Sequence, residues 1–413
     1  MSKALKVLIV TLSLGIVLFA IAGGLGVKAS TNDGAYRQLG VYSEVLSRIR
    51  SEYVEEPNIQ TVTDGSLHGL LESLDANSSY LSPAEYKVYK QHRADGKGQI
   101  GAAVSKRFGY AAVISVVPGG PADKAGMENG DIIEAIEGKS THDMSLAEIN
   151  GQLDGQPGST ISFSIVRARR AEPQKVTVTR DVITLPQISD KMLDDGIGYV
   201  RPYVLTKGRA QEIGARVKAL QKQGAHKFIL DLRDCSLGDE NEGVAVANLF
   251  LNHGVITYLQ GQKFSKETFN ADPQKDVTDV PLVVMVNRGT AGPAEIVAAA
   301  VMENARADVV GDKTFGTGGV QKVIEIPDGS ALILTIAKYY TPDGKAIQDT
   351  AVTPNIMVAD ADEADLVLPD EDQDNNSADQ EFRKEERQKQ DEQLRRSIQV
   401  LKNKDLKAAA APQ

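Results

Sequence analysis

The stretch VVMVNRGTAGPAEIVAAAVMENARADVVGDKTFGTGGVQ, Val283 to Gln321, decides how the chain is read. Val283 to Val286 is a short apolar run of the kind that forms a buried strand. A polar, glycine-bearing turn follows, Asn287 to Gly292. Pro293 then falls where the first residue of a helix belongs, and its fixed φ suits that place. Glu295 in the first turn complements the helix dipole, and Ala294 to Met302 supplies the helix body. Val309 and Val310 mark another strand, and Gly311 to Gly319 a loop. A strand, a tight turn and a helix N-terminus make a natural catalytic elbow, because the first backbone N–H groups of the helix point at whatever the turn presents.

Two segments of this stretch resemble the carboxyl-terminal processing peptidases, the S41 family of serine proteases with a Ser–Lys dyad. The family's nucleophile turn reads N-x-G-[ST]-A-S-A-S-E-I and its base loop T-F-G-K-G-x-V-Q. Here they read Asn287-Arg288-Gly289-Thr290-Ala291-Gly292-Pro293-Ala294-Glu295-Ile296 and Thr314-Phe315-Gly316-Thr317-Gly318-Gly319-Val320-Gln321, without a gap. The resemblance implies a serine at position 292 and a lysine at 317; the chain has Gly292 and Thr317. Gln321 matches the family's supporting glutamine. A Ser–Lys protease needs a hydroxyl to attack and a neutral amine to take its proton. Gly292 has no side chain, and a threonine hydroxyl is far too weak a base near neutral pH. Losing nucleophile or base costs on the order of 10⁶ in kcat, and losing both costs little more. The expectation is a protease fold without the protease reaction, with Gly292 at a helix N-terminus facing Thr317 and Gln321 across a cleft.

The resemblance extends outward. Phe228 to Leu232 reads as a buried strand leading into Asp231-Leu232-Arg233, a D-L-R that in the family precedes N-x-P-G-G. Here Asp234-Cys235-Ser236-Leu237-Gly238 follows, so Leu237 replaces the glycine whose N–H serves the oxyanion hole. Leu237 and Pro293 thus occupy the positions the resemblance implies for the oxyanion donors. Tyr339 to Gln348 and Thr353-Pro354-Asn355-Ile356 match the family's Y-Y-T-P-x-G-x-x-I-Q and E-P-D-I, which are fold signatures. Ile100 to about Val182 resembles a PDZ domain. Gln99-Ile100-Gly101-Ala102 matches its carboxylate-binding loop, Pro118 to Ala122 and Ala125 to Ile133 match further segments, and Ser145 to Leu153 is the helix expected to line its groove. Such a groove adds an extended peptide to a sheet edge and captures its terminal carboxylate with loop N–H groups.

Towards the N-terminus, Tyr36 to Val54 carries Leu39, Tyr42, Val45, Leu46, Ile49 and Tyr53 at helical spacing, and Leu67, Leu70, Leu71 and Leu74 mark a second helix. Ser82-Pro83-Ala84-Glu85 is a capping box that opens a third. Lys3 and Lys6 precede an uncharged run from Val7 to Val27, a targeting signal long enough to span a bilayer. An uncleaved anchor in the inner membrane is the expectation, with Val27-Lys28-Ala29 before Ser30 also fitting a cleavage site; either places the remainder outside the cytoplasm. Beyond Ala361 the chain turns acidic and poor in apolar residues. Phe382 to Leu406 carries a short stripe of Leu394, Ile398 and Leu401; a solvated helix or coil is expected, a helix that docks on the core or pairs with a partner being the alternative.

The domain order expected is 1–29 targeting segment, 30–96 helical region, 97–184 PDZ domain, 185–360 peptidase-like core and 361–413 charged tail. The fold class is α+β multidomain, the core a mixed sheet flanked by helices of the kind called ClpP- or crotonase-like. Net charge of −10 with no basic patch sets nucleic acid aside. The lone Cys235 excludes an intrachain disulfide and is compatible with a periplasm. His68, His92, His142, His226 and His253 show no metal-ligand spacing, and no cofactor is expected. A P-loop reading of Gly311 to Gly319 fails because Asp312, not glycine, precedes Lys313-Thr314.

The readings left open are a pseudopeptidase that binds protein C-termini, with an active paralogue as partner and a homo-oligomer as its form; an enzyme in which Thr290 or Ser236 attacks and Lys313 acts as base; and a scaffold that binds no peptide.

Overall fold

The computed structural model describes residues 33–95, 98–107, 109–167, 170–359 and 391–410. Two compact units divide the chain, Met1–Ser66 and Leu67–Gln413. Among the described residues no helix is long and apolar enough to cross a membrane; the expected membrane segment Val7 to Val27 lies outside them.

Helix α1 (Asp33–Glu52) belongs to the first unit, and its Leu39, Val41 and Val45 are exposed. Tyr42 and Ser66 share a hydrogen bond of 2.8 Å there. Helix α2 (Ile59–Glu72) runs into the second unit. Strand β1 (Ser79–Leu81) and helix α3 (Pro83–Asp95) follow. The capping box forms as the residue types dictate: Glu85 Oε2 accepts from the Ser82 N–H at 2.8 Å, and Ser82 Oγ from the Glu85 N–H at 3.4 Å.

The PDZ-like region is a five-stranded path with one short added strand. Its elements are β2 (Ala102–Arg107), β3 (Tyr110–Val116), α4 (Pro121–Lys124), β4 (Ile132–Ile136), β5 (Lys139–Ser140), α5 (Leu146–Leu153), β6 (Thr160–Arg167) and β7 (Arg170–Thr179). The order is β2-β3-β4-β6-β7, so β2 is an edge. Ser145 caps α5 with a full capping box through Glu148. Ile100, Val104, Ile133, Ile149, Phe163 and Ile165 are among the residues of its own core.

The second sheet begins with β8 (Ser189–Leu193) and β9 (Ile197–Arg201), then helix α6 (Arg209–Lys222), β10 (Lys227–Asp231) and helix α7 (Glu240–Asn248). Strands β11 (Val255–Gln260) and β12 (Glu267–Asn270) leave it for another sheet. Then come β13 (Leu282–Val286), helix α8 (Pro293–Glu303), β14 (Asp308–Gly311), β15 (Gly319–Glu325), β16 (Ala331–Tyr340), helix α9 (Ile347–Thr350) and β17 (Ile356–Met357). The main sheet runs β17-β14-β13-β10-β9-β8, parallel except for β8. Strands β1, β16, β11 and β12, with β15 on β16, form an antiparallel sheet beside it.

The main sheet is covered on both faces, which is why β13 reads as unbroken apolar sequence. Leu282, Val284 and Val286 join the core built with α6, α7 and α8. Val283 and Met285 point the other way, into a second cluster with Tyr199, Ile229, Val310 and Leu401. Leu401 lies on helix α10 (Glu392–Ala410). This corrects the reading of Phe382 to Leu406 as solvated: from Glu392 on, the segment docks, with Leu401 fully buried and Leu394 and Ile398 packed against the same cluster. Its first turn is pinned by charge. Arg233 donates to Asp391 at 2.9 and 2.8 Å and, on its other side, to fully buried Asp231 at 2.7 Å. Burial alone would raise the Asp231 carboxyl; Arg233 and Arg201 draw it down to about 2.

Candidate functional site

The site forms where β13 ends. Asn287 organises the turn from inside: its Oδ1 accepts the N–H groups of Asp234 and Gly289 at 3.0 Å each, and its Nδ2 donates to Asp234 Oδ1 at 2.8 Å. Thr290 is wholly buried; its Oγ1 donates to the Leu232 carbonyl at 2.8 Å and accepts the Asn287 N–H at 3.0 Å. The turn is thereby sewn to the loop after β10, and the Ala291 N–H adds a bond to the Cys235 carbonyl at 3.1 Å.

Gly292 is the N-cap of α8, with φ 57° and ψ −118°. Side chains rarely adopt this backbone, a strained strand-to-helix elbow that presents its residue outward. A Cβ built there meets only the Ser236 carbonyl, at 3.9 Å, so the position has room for a side chain and lacks one. Pro293, which follows, has no N–H. The first helical position after the elbow therefore offers no backbone donor. Helix α8 is buried from Pro293 to Val301, as its alanine-rich, all-round apolar sequence requires. Gly243 of α7 lets it in so closely that a Cβ would lie 2.4 Å from the Pro293 carbonyl.

Glu295 joins this elbow to the loop before β15. It is fully buried and accepts four hydrogen bonds: from the N–H of Gly292 at 2.9 Å, of Gly316 at 2.8 Å and of Thr317 at 2.8 Å, and from Thr314 Oγ1. Burial pushes its carboxyl up to about 7, and the four donors oppose a further rise. The loop is fixed elsewhere by the Val352 N–H on Thr314 Oγ1 at 2.8 Å and the Gly318 N–H on Gln348 Oε1 at 3.0 Å. The structure thus brings Thr317 and Gly292 onto one carboxylate oxygen. Gln321 is exposed on β15 and hydrogen-bonds Thr335 at 3.4 Å rather than the turn.

The loop carrying Leu237 is also held. Asp234 takes φ 60°, and the Leu237 carbonyl accepts the Leu205 N–H at 2.8 Å. The PDZ-like region rests against it. Asn129 Nδ2 donates to Asp234 Oδ1 at 2.8 Å, and Ser115 Oγ lies 2.5 Å from Ser236 Oγ. Strand β3 comes so near the turn that a Cβ on Gly289 would lie 3.2 Å from the Ile114 carbonyl.

The residues of the relocated-dyad reading are not assembled. Thr290 is spent on the turn, Ser236 faces Ser115, and the Lys313 side chain is exposed with no hydrogen bond to either hydroxyl among the described residues. Also among the described residues, no group of three His, Cys, Asp or Glu side chains could hold a metal ion.

At the carboxylate-loop positions, Gln99 pairs with Asp181 through backbone bonds of 2.8 and 3.1 Å. Ile100 is buried and its carbonyl takes the Ala122 N–H at 2.8 Å. Gly101 turns the chain at φ 74°, and Ala102 starts the edge strand β2. The loop therefore leads into the kind of strand edge that an added peptide needs.

Sequence reading singled out Gly292, Pro293, Leu237 and Thr317. It missed the parts that hold them: Glu295 was read only as a dipole partner, and Asn129, Asp234 and Asn287 carried no signal as a group. An asparagine just after a buried strand, with Gly two residues on, was the one available hint.

Comparison with known proteins agrees with this architecture. The family model for peptidase family S41 matches residues 196–358, and that for the PDZ domain matches residues 113–167. The carboxy-terminal-processing protease of Bartonella bacilliformis is 32% identical over 338 residues, covering 80% of this chain and 77% of its own. The carboxy-terminal processing protease CtpA of Bacillus subtilis is 32% identical over 389 residues, covering 92% and 82%. Among solved structures, a photosystem II D1 C-terminal processing protease superposes with a TM-score of 0.63 at 24% identity, over 77% of this chain and 92% of that one; it supports the fold. The chain belongs to peptidase family S41, among the carboxyl-terminal-processing proteases.

Proposed function

We propose that the protein is a pseudopeptidase of this family, which binds protein or peptide C-termini through its PDZ domain and does not cut them. The observation that carries the reading is the elbow: Gly292 and Pro293 leave it with neither a hydroxyl nor the following N–H. Thr317 leaves the facing loop without an amine. The loop Gln99 to Ala102, which leads into the edge strand β2, supports retained binding. An extracytoplasmic place, anchored in the inner membrane through Val7 to Val27, fits the sequence, and an active family member is the natural partner to regulate. The exposed Leu39, Val41 and Val45 of α1 support a homo-oligomer.

The test incubates the full-length protein with a library of peptides with apolar C-termini and reads the mixture by mass spectrometry. Uncut peptides retained on the protein are expected. Cleavage that survives repurification and disappears in Lys313→Met would overturn the reading in favour of a relocated dyad. Neither cleavage nor retention would leave a scaffold.

A further inference from the structure

The far end of the PDZ groove carries a charge that neither the family resemblance nor the lost active site explains. Lys106 sits near the end of edge strand β2, and its side chain is only 8% exposed. Its ammonium reaches across to the segment just before α5. There it donates to the Met144 carbonyl at 2.7 Å and the His142 carbonyl at 3.4 Å. The third partner is different in kind: Glu72 Oε1, at 2.5 Å, from the last residue of helix α2. An ammonium has three protons, and here each has an acceptor. Two acceptors belong to the groove wall. The third is a carboxylate, itself 40% exposed, lent by another element.

We propose that Lys106 selects C-terminal peptides carrying an acidic side chain about four residues before their end, with Glu72 holding that place in the empty groove. The proposal rests on the PDZ reading above and narrows it. A peptide added antiparallel to β2 places its carboxylate at the loop Gln99 to Ala102 and advances one residue for each residue of β2, about 3.3 Å at a time. It therefore draws level with Lys106 about four residues before its terminus. The period of two sends that side chain to the same face as the terminal apolar side chain, towards α5. Val104, two positions before Lys106 on the same face, is part of the PDZ core. An arriving carboxylate replaces Glu72 on a cation already fixed by two carbonyls, so little side-chain freedom is lost. A neutral residue there leaves the Lys106–Glu72 pair in place, and a basic one is repelled.

Fluorescence anisotropy on the full-length protein in mild detergent tests this. The probes are labelled decapeptides with the same apolar C-terminal residue and Glu, Gln or Lys four positions earlier. The wild type should bind the Glu peptide about fivefold more tightly than the Gln peptide, a ratio that shrinks as salt is added. Glu72→Gln, which removes the internal competitor, should widen the ratio. Lys106→Met should bring it to about one while leaving the Gln peptide's affinity in place. Equal affinity for the Glu and Gln peptides in both wild type and Glu72→Gln overturns the proposal and leaves the PDZ reading standing. So does discrimination that persists in Lys106→Met. Failure of every peptide to bind overturns the PDZ reading and this inference with it.

Discussion

The backbone N–H of Thr317 stands 2.8 Å from Oε2 of Glu295, the oxygen that also takes the N–H of Gly292 at 2.9 Å. The elbow at Gly292 and the loop at Thr317 are thus held in register by one carboxylate through their backbone N–H groups. The clamp is built from backbone donors, which substitution at 292 or 317 does not remove.

Replacing that clamp should cost stability. In Glu295→Gln the amide group points donors at donors, and the loss should be about 2–4 kcal/mol by urea unfolding. The pH dependence has a definite sign. A carboxyl raised from 4.5 to about 7 in the folded state contributes stability that is full below its unfolded value and lost as pH rises through 7. The wild type should therefore lose stability between pH 5 and pH 7.5 relative to Glu295→Gln. Parallel curves for the two proteins would refute the assignment.

Restoring the dyad alone should not restore the enzyme. Gly292→Ser has room for its side chain, and Thr317→Lys supplies the amine, but Pro293 still denies the oxyanion an N–H. One such donor is worth about 10²–10³ in kcat. Peptide turnover should stay near background in the double variant and rise by about that factor when Pro293→Ala is added. Full activity in the double variant would mean that Leu237 or another donor suffices.

Arg233 joins α10 to the sheet through two carboxylates, Asp231 and Asp391. Arg233→Met removes the nearest cation from buried Asp231, leaving it Tyr199 at 2.6 Å and Arg201 at 3.9 Å, and should cost about 3–5 kcal/mol. Asp231 has the opposite sign to Glu295. Its depressed carboxyl stabilises the fold above pH 4, and that contribution disappears as pH falls through 2. Acid unfolding of Arg233→Met should start at a higher pH than that of the wild type.

Leu401→Ala, at a fully buried position on α10, should cost about 2–5 kcal/mol. A solvated tail would give a change within about 0.5 kcal/mol. Calorimetry separates the two outcomes.

Much of this was legible in the chain. The elbow announced itself because a strand, a glycine-bearing turn and Pro at the helix start are local signals, and the capping box at Ser82 formed where its residue types put it. The docking of α10 was read only as the alternative, because a stripe of Leu394, Ile398 and Leu401 is too short to declare a partner. The missing signal lay elsewhere. Leu282 to Val286 shows no alternation, which requires a cover on each face, and α6 to α8 supply only one. Glu295 and Asp234 stayed silent for another reason: their partners lie on loops that become neighbours only after the sheet has formed.

The same two-faced sheet sets an order of events during synthesis. Arg233 and Asp391 stand 158 positions apart. While those positions are being added, Val283, Met285 and Ile229 have no helix over them. A nascent chain in that state exposes an apolar sheet face and is a client for holding chaperones. The late cover thus makes the last residues of the chain the ones that end this exposure.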